Sequence, residues 1–331
     1  MNDWLRGVSW LSDEGAPVRA DPADRDRLPL DTWERATVPA GVRYEFVARG
    51  CSAVEVTYSG EPPLLADSYR GSEPVFTLLS GEQVVAEAAA EAGRNQVVRL
   101  EAPLDGEFTL HLPEVLRPVV HSVHPVSGTL NPAPTRPRWL VHGDSISEGW
   151  TTSRPHLAWP ARVGRALGLD TVNLGYAGAA RGELASAQQL ASLPAAVITL
   201  AFGTNCWSRT PSSAELLYET TRAFLGIVRA AHPDVPILIV SPVVRPDAEH
   251  SPNALGATLG GLRAAQERAV ADTPDKHLRV LSGARLIGAE HLVDGVHPGD
   301  EGHRLIADGV TEALRDGVTE ALRGWAPGTG M

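Results

Sequence analysis

The sequence predicts an α/β unit with a parallel sheet, preceded by an all-β sandwich, and three observations carry that reading. Up to about residue 128 the chain consists of short runs of alternating polarity separated by turn residues. A proline-rich stretch, Asn131-Pro132-Ala133-Pro134-Thr135-Arg136-Pro137, then interrupts the pattern. Beyond it, apolar strand-like runs alternate with helix-like runs. At 331 residues the chain is longer than one hydrophobic core usually grows, which favours two domains. The expected division is a sandwich over residues 1–130, a linker over 131–137 and an α/β unit over 138–331.

In the front part, residues 42–47 and 54–58 alternate as strands do. Residues 75–79 lead into Ser80-Gly81 and then Val84-Val85. Residues 97–100 are followed by Asp105-Gly106, a strong hairpin signal, and then by 108–112. Many short strands with regular turns suggest an antiparallel sandwich, and helical periodicity is confined to Glu87–Glu91. After the linker, strands are expected at 139–142, 171–174, 196–200, 236–240 and 278–281. Helices are expected at 157–167, 184–193, 214–230 and 262–271. Such alternation gives a parallel sheet covered on both faces, with chemistry beyond the carboxyl ends of its strands. Near the end, Asp308–Arg315 repeats residue for residue as Asp316–Arg323, read as a lengthened terminal helix with Gly317 as a weak point. Eight residues advance a helix by about 80° past two turns, so the two copies should present shifted faces.

Composition excludes several classes. A net charge of −11, with scattered arginines and Lys276 as the sole lysine, argues against a nucleic-acid partner. Cys51 and Cys206 are too few and too far apart for a disulfide framework or a zinc pattern. The longest apolar stretch, 195–202, is too short to span a bilayer. The first residues lack the basic and apolar regions of a signal peptide, so a soluble, cytoplasmic protein without membrane contact is expected.

Four short blocks carry chemistry. His142-Gly143-Asp144-Ser145-Ile146-Ser147-Glu148-Gly149 lies between an expected strand and helix, where a serine is exposed at the sheet edge. It becomes a nucleophile only if a base takes its proton, and Ser147 rivals Ser145. Asp294-Gly295-Val296-His297-Pro298 offers that base: a carboxylate three residues upstream can fold back onto the imidazole and fix its tautomer. Pro298 keeps His297 in extended backbone. Oxyanion donors are offered by the Ser145 N–H and two glycine loops: 173–178, with Gly175 and Gly178, and Phe202-Gly203-Thr204-Asn205, with its carboxamide.

Taken together and in order, Gly-Asp-Ser at 143–145, the glycine loop at Gly178, Gly-x-Asn at 203–205 and Asp-x-x-His at 294–297 resemble the signature blocks of the SGNH (GDSL) hydrolases. The resemblance covers roughly residues 138–315. It implies a flavodoxin-like three-layer fold, a catalytic triad of Ser145, Asp294 and His297, and an oxyanion hole of Ser145, Gly178 and Asn205. It also favours Ser145 over Ser147 and Gly178 over Gly175. Where the family often has Asp after the Asn, Cys206 and Trp207 stand here. The front half resembles the jelly-roll-like sandwich of some two-domain members, a branch that includes carbohydrate esterases and natural-product acyltransferases.

Other residues admit plainer readings. His291, Asp294, His297, Asp300 and His303 recur every three residues, but the intervening glycines and Pro298 prevent the helix that would align them. No metal and no cofactor is expected, and His303 is read as supporting the helix start. Trp150, Tyr176 and Trp207 are candidates for an aromatic pocket rim, with loop packing as the alternative. Cys206 reads as a packed small residue and His142 as structural. Three functions follow: a carboxylic-ester hydrolase acting on a small molecule, an acyltransferase from acyl-CoA or an ester to a hydroxylated acceptor such as a natural product or sugar, and a binding protein with an inactive site.

Overall fold

The computed structural model describes residues 2–62, 72–208 and 210–322. Its first residues form short elements: β1 (Leu5–Arg6), β2 (Trp10–Leu11), β3 (Pro17–Val18) and α1 (Leu30–Ala36). β1 pairs with the sandwich, but Val18, Ala20, Leu28 and Ala36 join a core built on the parallel sheet. This segment therefore packs against both parts of the molecule.

Alternation then builds the expected antiparallel strands: β4 (Arg43–Gly60), β5 (Val75–Ser80), β6 (Gln83–Ala89), β7 (Gly93–His111), β8 (Val119–Val126) and β9 (Thr129–Pro132). β4 pairs with β7 along most of its length and with β8 and β9 at its two ends. The apolar sets Tyr44, Phe46, Ala48 and Val54, Val56, Tyr58 share one enclosed core with Phe76, Leu100 and Leu110. The hairpin expected at Asp105-Gly106 does not form. Gly106 lies inside β7 opposite Ala48, where the register shifts. Both long strands are irregular at this level, and a bulge lets a strand bend and continue where a turn would end it. Residues 87–89, expected to be helical, are strand β6, because pairing with β5 outweighs a weak local preference. Asn131 and Pro132, assigned to the linker, close the sheet in β9.

The back part alternates β10 (Arg138–Gly143), α2 (Ser145–Glu148), α3 (Trp159–Leu167), β11 (Asp170–Gly175), α4 (Leu184–Ser192), β12 (Val197–Ala201), α5 (Ala214–Ala231), β13 (Ile237–Val240), α6 (Leu259–Ala271), β14 (Leu278–Leu281) and α7 (Asp300–Leu322). The five strands are parallel in the order β11-β10-β12-β13-β14. Leu140 faces a core shared with α4, α5 and α6; Trp139 and Val141 face another shared with α3 and α7. The result is the expected three-layer, flavodoxin-like α/β/α arrangement. Its strand order reverses at β10, between β11 and β12, which is where such sheets open a crevice at their carboxyl ends.

Helix α7 runs through Gly317 without a break, and Val310 and Val318 of the two repeat copies lie in the same core. The 80° advance is small enough for both to stay on one broad apolar stripe. Arg323, the last residue of the repeat, lies outside the described residues. No helix among the described residues is long and apolar enough to cross a membrane.

Candidate active site

Strand β10 ends in Gly143, and the chain turns sharply there. A Cβ on Gly143 would lie 2.2 Å from Ser147 Oγ and 2.5 Å from the Ala201 carbonyl oxygen, so only glycine fits. Asp144 then caps α2, accepting the Ile146 N–H at 3.0 Å, an N-cap that satisfies one orphan donor. Burial pushes the Asp144 carboxyl up to about 6, although hydrogen bonds from Ile146 and Thr204 oppose the shift. Ser145 is thereby fixed as the first helical residue, above the carboxyl edge of the sheet. Ser147 instead packs beneath Gly143 and is 1% exposed.

His297 meets Ser145 across 152 positions of sequence: its Nε2 lies 2.9 Å from Ser145 Oγ. Its Nδ1 lies 2.8 Å from Asp294 Oδ2, while Asp294 Oδ1 accepts the N–H groups of Val296 and His297 at 3.0 and 2.8 Å. Burial alone would raise the Asp294 pKa. The hydrogen bonds from His297 outweigh it and hold the carboxyl below its ordinary range. An ionised Asp294 assigns the proton to Nδ1, which leaves the Nε2 lone pair facing the Ser145 hydroxyl.

The other glycine loops reach the same spot. Gly178 (φ +72°), in the loop after β11, and Asn205, after β12, line a cavity of about 790 Å³ together with Ser145, His297 and Trp150. The Asn205 carboxamide donates one N–H to the Ala179 carbonyl, which leaves the other for the cavity. Three loops, one at the carboxyl end of each of the neighbouring strands β11, β10 and β12, thus converge on one point at the switch in strand order.

The aromatic candidates divide. Trp150 lines the cavity, with its ring 5.5 Å from that of His297. Tyr176 does not: it is 2% exposed, and its hydroxyl donates to the Arg19 carbonyl at 2.7 Å. Trp207 is turned aside, its indole N–H donating to the Ser251 carbonyl at 2.9 Å beside Arg245. In place of these two, the wall is built from α1 and its flanks, including Leu30, Asp31, Trp33 and Arg35. No local pattern in the sequence marks that helix as part of the site.

The spaced acidic and imidazole residues scatter to separate partners. Asp300 accepts from the Ser153 N–H and hydroxyl at 2.9 and 2.6 Å. His303 accepts the Trp159 N–H at 3.2 Å and faces the Trp150 carbonyl at 3.3 Å. It therefore braces the start of α3 and the residue beside His297. Among the described residues no group of three such side chains could hold a metal ion. Cys206 is buried, and burial pushes its thiol up to about 12, which keeps it un-ionised. His142, stacked on Phe224 at 5.3 Å and donating to the Leu174 carbonyl, is a core side chain.

Buried imidazoles give a pH prediction. Burial lowers His142, His156 and His303 to about 4, and holds His111 well below the ordinary imidazole value. The unfolded chain then binds more protons than the folded one between about pH 6.5 and pH 4, so acidification through that window destabilises. Asp144, raised to about 6, acts in the opposite sense but is a single group. Melting temperature should fall clearly from pH 7.5 to pH 5 and change little from 7.5 to 8.5. A flat profile down to pH 5 would contradict the neutral burial of these rings.

Residues 141–305 match the model of the GDSL-like Lipase/Acylhydrolase family. No curated protein sequence matches the chain. Among solved structures, the salicylyl-acyltransferase SsfX3 from a tetracycline biosynthetic pathway is similar with a TM-score of 0.83 and 22% identity, over 94% of each chain. A protein described as a GDSL-like lipase from Bacteroides ovatus gives 0.78 and 21%, over 95% of each chain. A family two carbohydrate esterase from Clostridium thermocellum, in complex with cellohexaose, gives 0.63 and 15%, over 84% of this chain and 92% of that one. At these identities the likeness is one of fold, and it extends over the β-rich part as well as the α/β part. With the family model matching the very segment that carries Ser145, Gly178, Asn205, Asp294 and His297, this chain bears a domain of the GDSL-like lipase/acylhydrolase family.

Proposed function

We propose that the protein performs serine-dependent acyl chemistry through an acyl-Ser145 intermediate, in the first instance the hydrolysis of a small-molecule carboxylic ester. The observation that carries this reading is the chain of contacts Asp294 to His297 to Ser145, at 2.8 and 2.9 Å. Ser145 Oγ attacks the ester carbonyl carbon as its proton passes to His297 Nε2, and Asp294 stabilises the imidazolium. The carbonyl oxygen, now negative, is met by the N–H groups of Ser145, Gly178 and Asn205. Collapse expels the alcohol, which takes the proton back from His297. Water, deprotonated by His297, then attacks the acyl carbon, and a second collapse releases the acid and restores the serine. On this reading the catalytic unit spans residues 138–331, and the part before it supplies a wall of the pocket through α1.

A second reading, acyl transfer from an ester or acyl-CoA to a hydroxylated natural product or a carbohydrate, is supported by the size of the site. The 790 Å³ cavity is followed by another of about 680 Å³, and the two share Trp33, Thr37 and Arg117. That is more room than a short ester needs, and the salicylyl-acyltransferase has the same overall fold. Water at about 55 M competes for the acyl-enzyme, so a transferase must exclude it or hold its acceptor in place. Screening short acyl esters and acyl-CoA donors with and without alcohol acceptors separates the two. Fast hydrolysis that no acceptor diverts leaves the esterase. Slow donor consumption, accelerated by one acceptor with a new ester formed in proportion, establishes the transferase.

A further inference from the structure

Glu148 has no part in the chemistry just described, yet it sits behind the site with its side chain at 0% exposure. Its Oε2 accepts the Ala177 N–H at 2.7 Å, on the residue next to Gly178. Two arginines from the N-terminal segment hold it there. Arg35 donates from Nε at 3.2 Å and from Nη2, and Arg19 Nη2 stands 3.6 Å away. Arg19, itself at 0% side-chain exposure, also donates to the carbonyls of Asn173 (3.2 Å) and Gly175 at the end of β11, where the loop begins, and to those of Val38 and Arg35 behind it. Its own carbonyl accepts the Tyr176 hydroxyl. Residues 173–177 are thus tied, nearly one by one, to Arg19 or Glu148.

We infer that Arg19 and Arg35, acting through Glu148, are positioning residues that fix the Gly178 N–H for the oxyanion. This rests on the acyl-serine reading above. An oxyanion donor contributes only if it already points to where charge will develop, and a loop of glycines does not hold such a pose by itself. A guanidinium can satisfy several carbonyls at once because its donors form a rigid fork. A buried ion pair is weak evidence for stability, and here every member also touches the loop or its carboxylate. The family model begins at residue 141, so both arginines lie outside the matching segment. The N-terminal segment is on this account a working part of the active site.

The test uses the full-length chain with Glu148→Gln and Arg19→Lys, neither of which lines the cavity in a place a substrate would fill. In both variants kcat on a short ester should fall by about 10- to 100-fold, less than for a direct oxyanion donor. KM should stay within about twofold, the pH dependence of kcat should keep its wild-type shape, and fluorophosphonate should still label Ser145 to one equivalent at its endpoint. A folded variant with wild-type kcat overturns the proposal. So does a loss that merely tracks a loss of labelling sites, which would mean a structural role. If Glu148→Gln does not fold, Arg19→Lys decides, because it keeps the charge and removes only the fork. Ester turnover that survives Ser145→Ala would instead sink the acyl-serine reading, an outcome separate from either of these.

Discussion

Replacing Ser145 by alanine should abolish covalent labelling by a fluorophosphonate and lower acyl turnover by about 10⁶-fold, the loss seen when a triad serine is removed. The size follows from the roles. Without Oγ there is no covalent path, and His297 and Asp294 are left polarising nothing. What remains is whatever the oxyanion donors and binding contribute alone, a residual of about 10³–10⁴ over water in a serine hydrolase. Ser147→Ala is the matched control. Ser147 differs from Ser145 by two positions, but its hydroxyl lies beneath Gly143 at 1% exposure, whereas His297 Nε2 meets Ser145 Oγ at 2.9 Å. That variant should label and turn over as the wild type does. Labelling that persists in Ser145→Ala and vanishes in Ser147→Ala would overturn the assignment of the nucleophile.

Asn205→Ala should cost about 10²–10³ in kcat with little change in KM. The carboxamide donates one N–H to the Ala179 carbonyl, which orients the group, and lines the cavity beside Ser145. In the proposed mechanism the second N–H gains most when the carbonyl oxygen becomes negative, so its loss should be felt in the transition state and hardly in the bound substrate. The substitution also frees the Ala179 carbonyl, so a modest fall in melting temperature is expected alongside. A raised KM with unchanged kcat would make Asn205 a substrate-binding residue.

Local rules made much of this protein legible in advance. The alternation of strands and helices after residue 138 follows from hydrophobic period, which the chain carries in every segment of ten or so residues. So do the β4, β5, β7 and β8 runs of the sandwich. Gly143, Asp144 and Ser145 form a strand-to-helix turn for reasons contained within a few residues: no room for a Cβ, an N-cap, a helix start. Asp294 and His297 likewise bond within a four-residue loop. Local signals failed where pairing partners overruled them. Asp105-Gly106 reads as a turn in isolation, but its neighbours on β4 keep β7 extended through it. Gly317 is tolerated in α7 because the helix on either side is anchored in a core.

The sequence by itself determined which side chains are candidates for the chemistry and the kind of element on which each would stand. Only the tertiary structure decided that Tyr176 and Trp207 turn away while α1 takes their place, and that Arg19 and Arg35 reach over a hundred residues to Glu148 and the loop after β11. Those contacts depend on the packing of an N-terminal segment against the far sheet. A guanidinium selects its partners by where carbonyls and carboxylates end up in space, and nothing in the residues flanking Arg19 or Arg35 encodes that position.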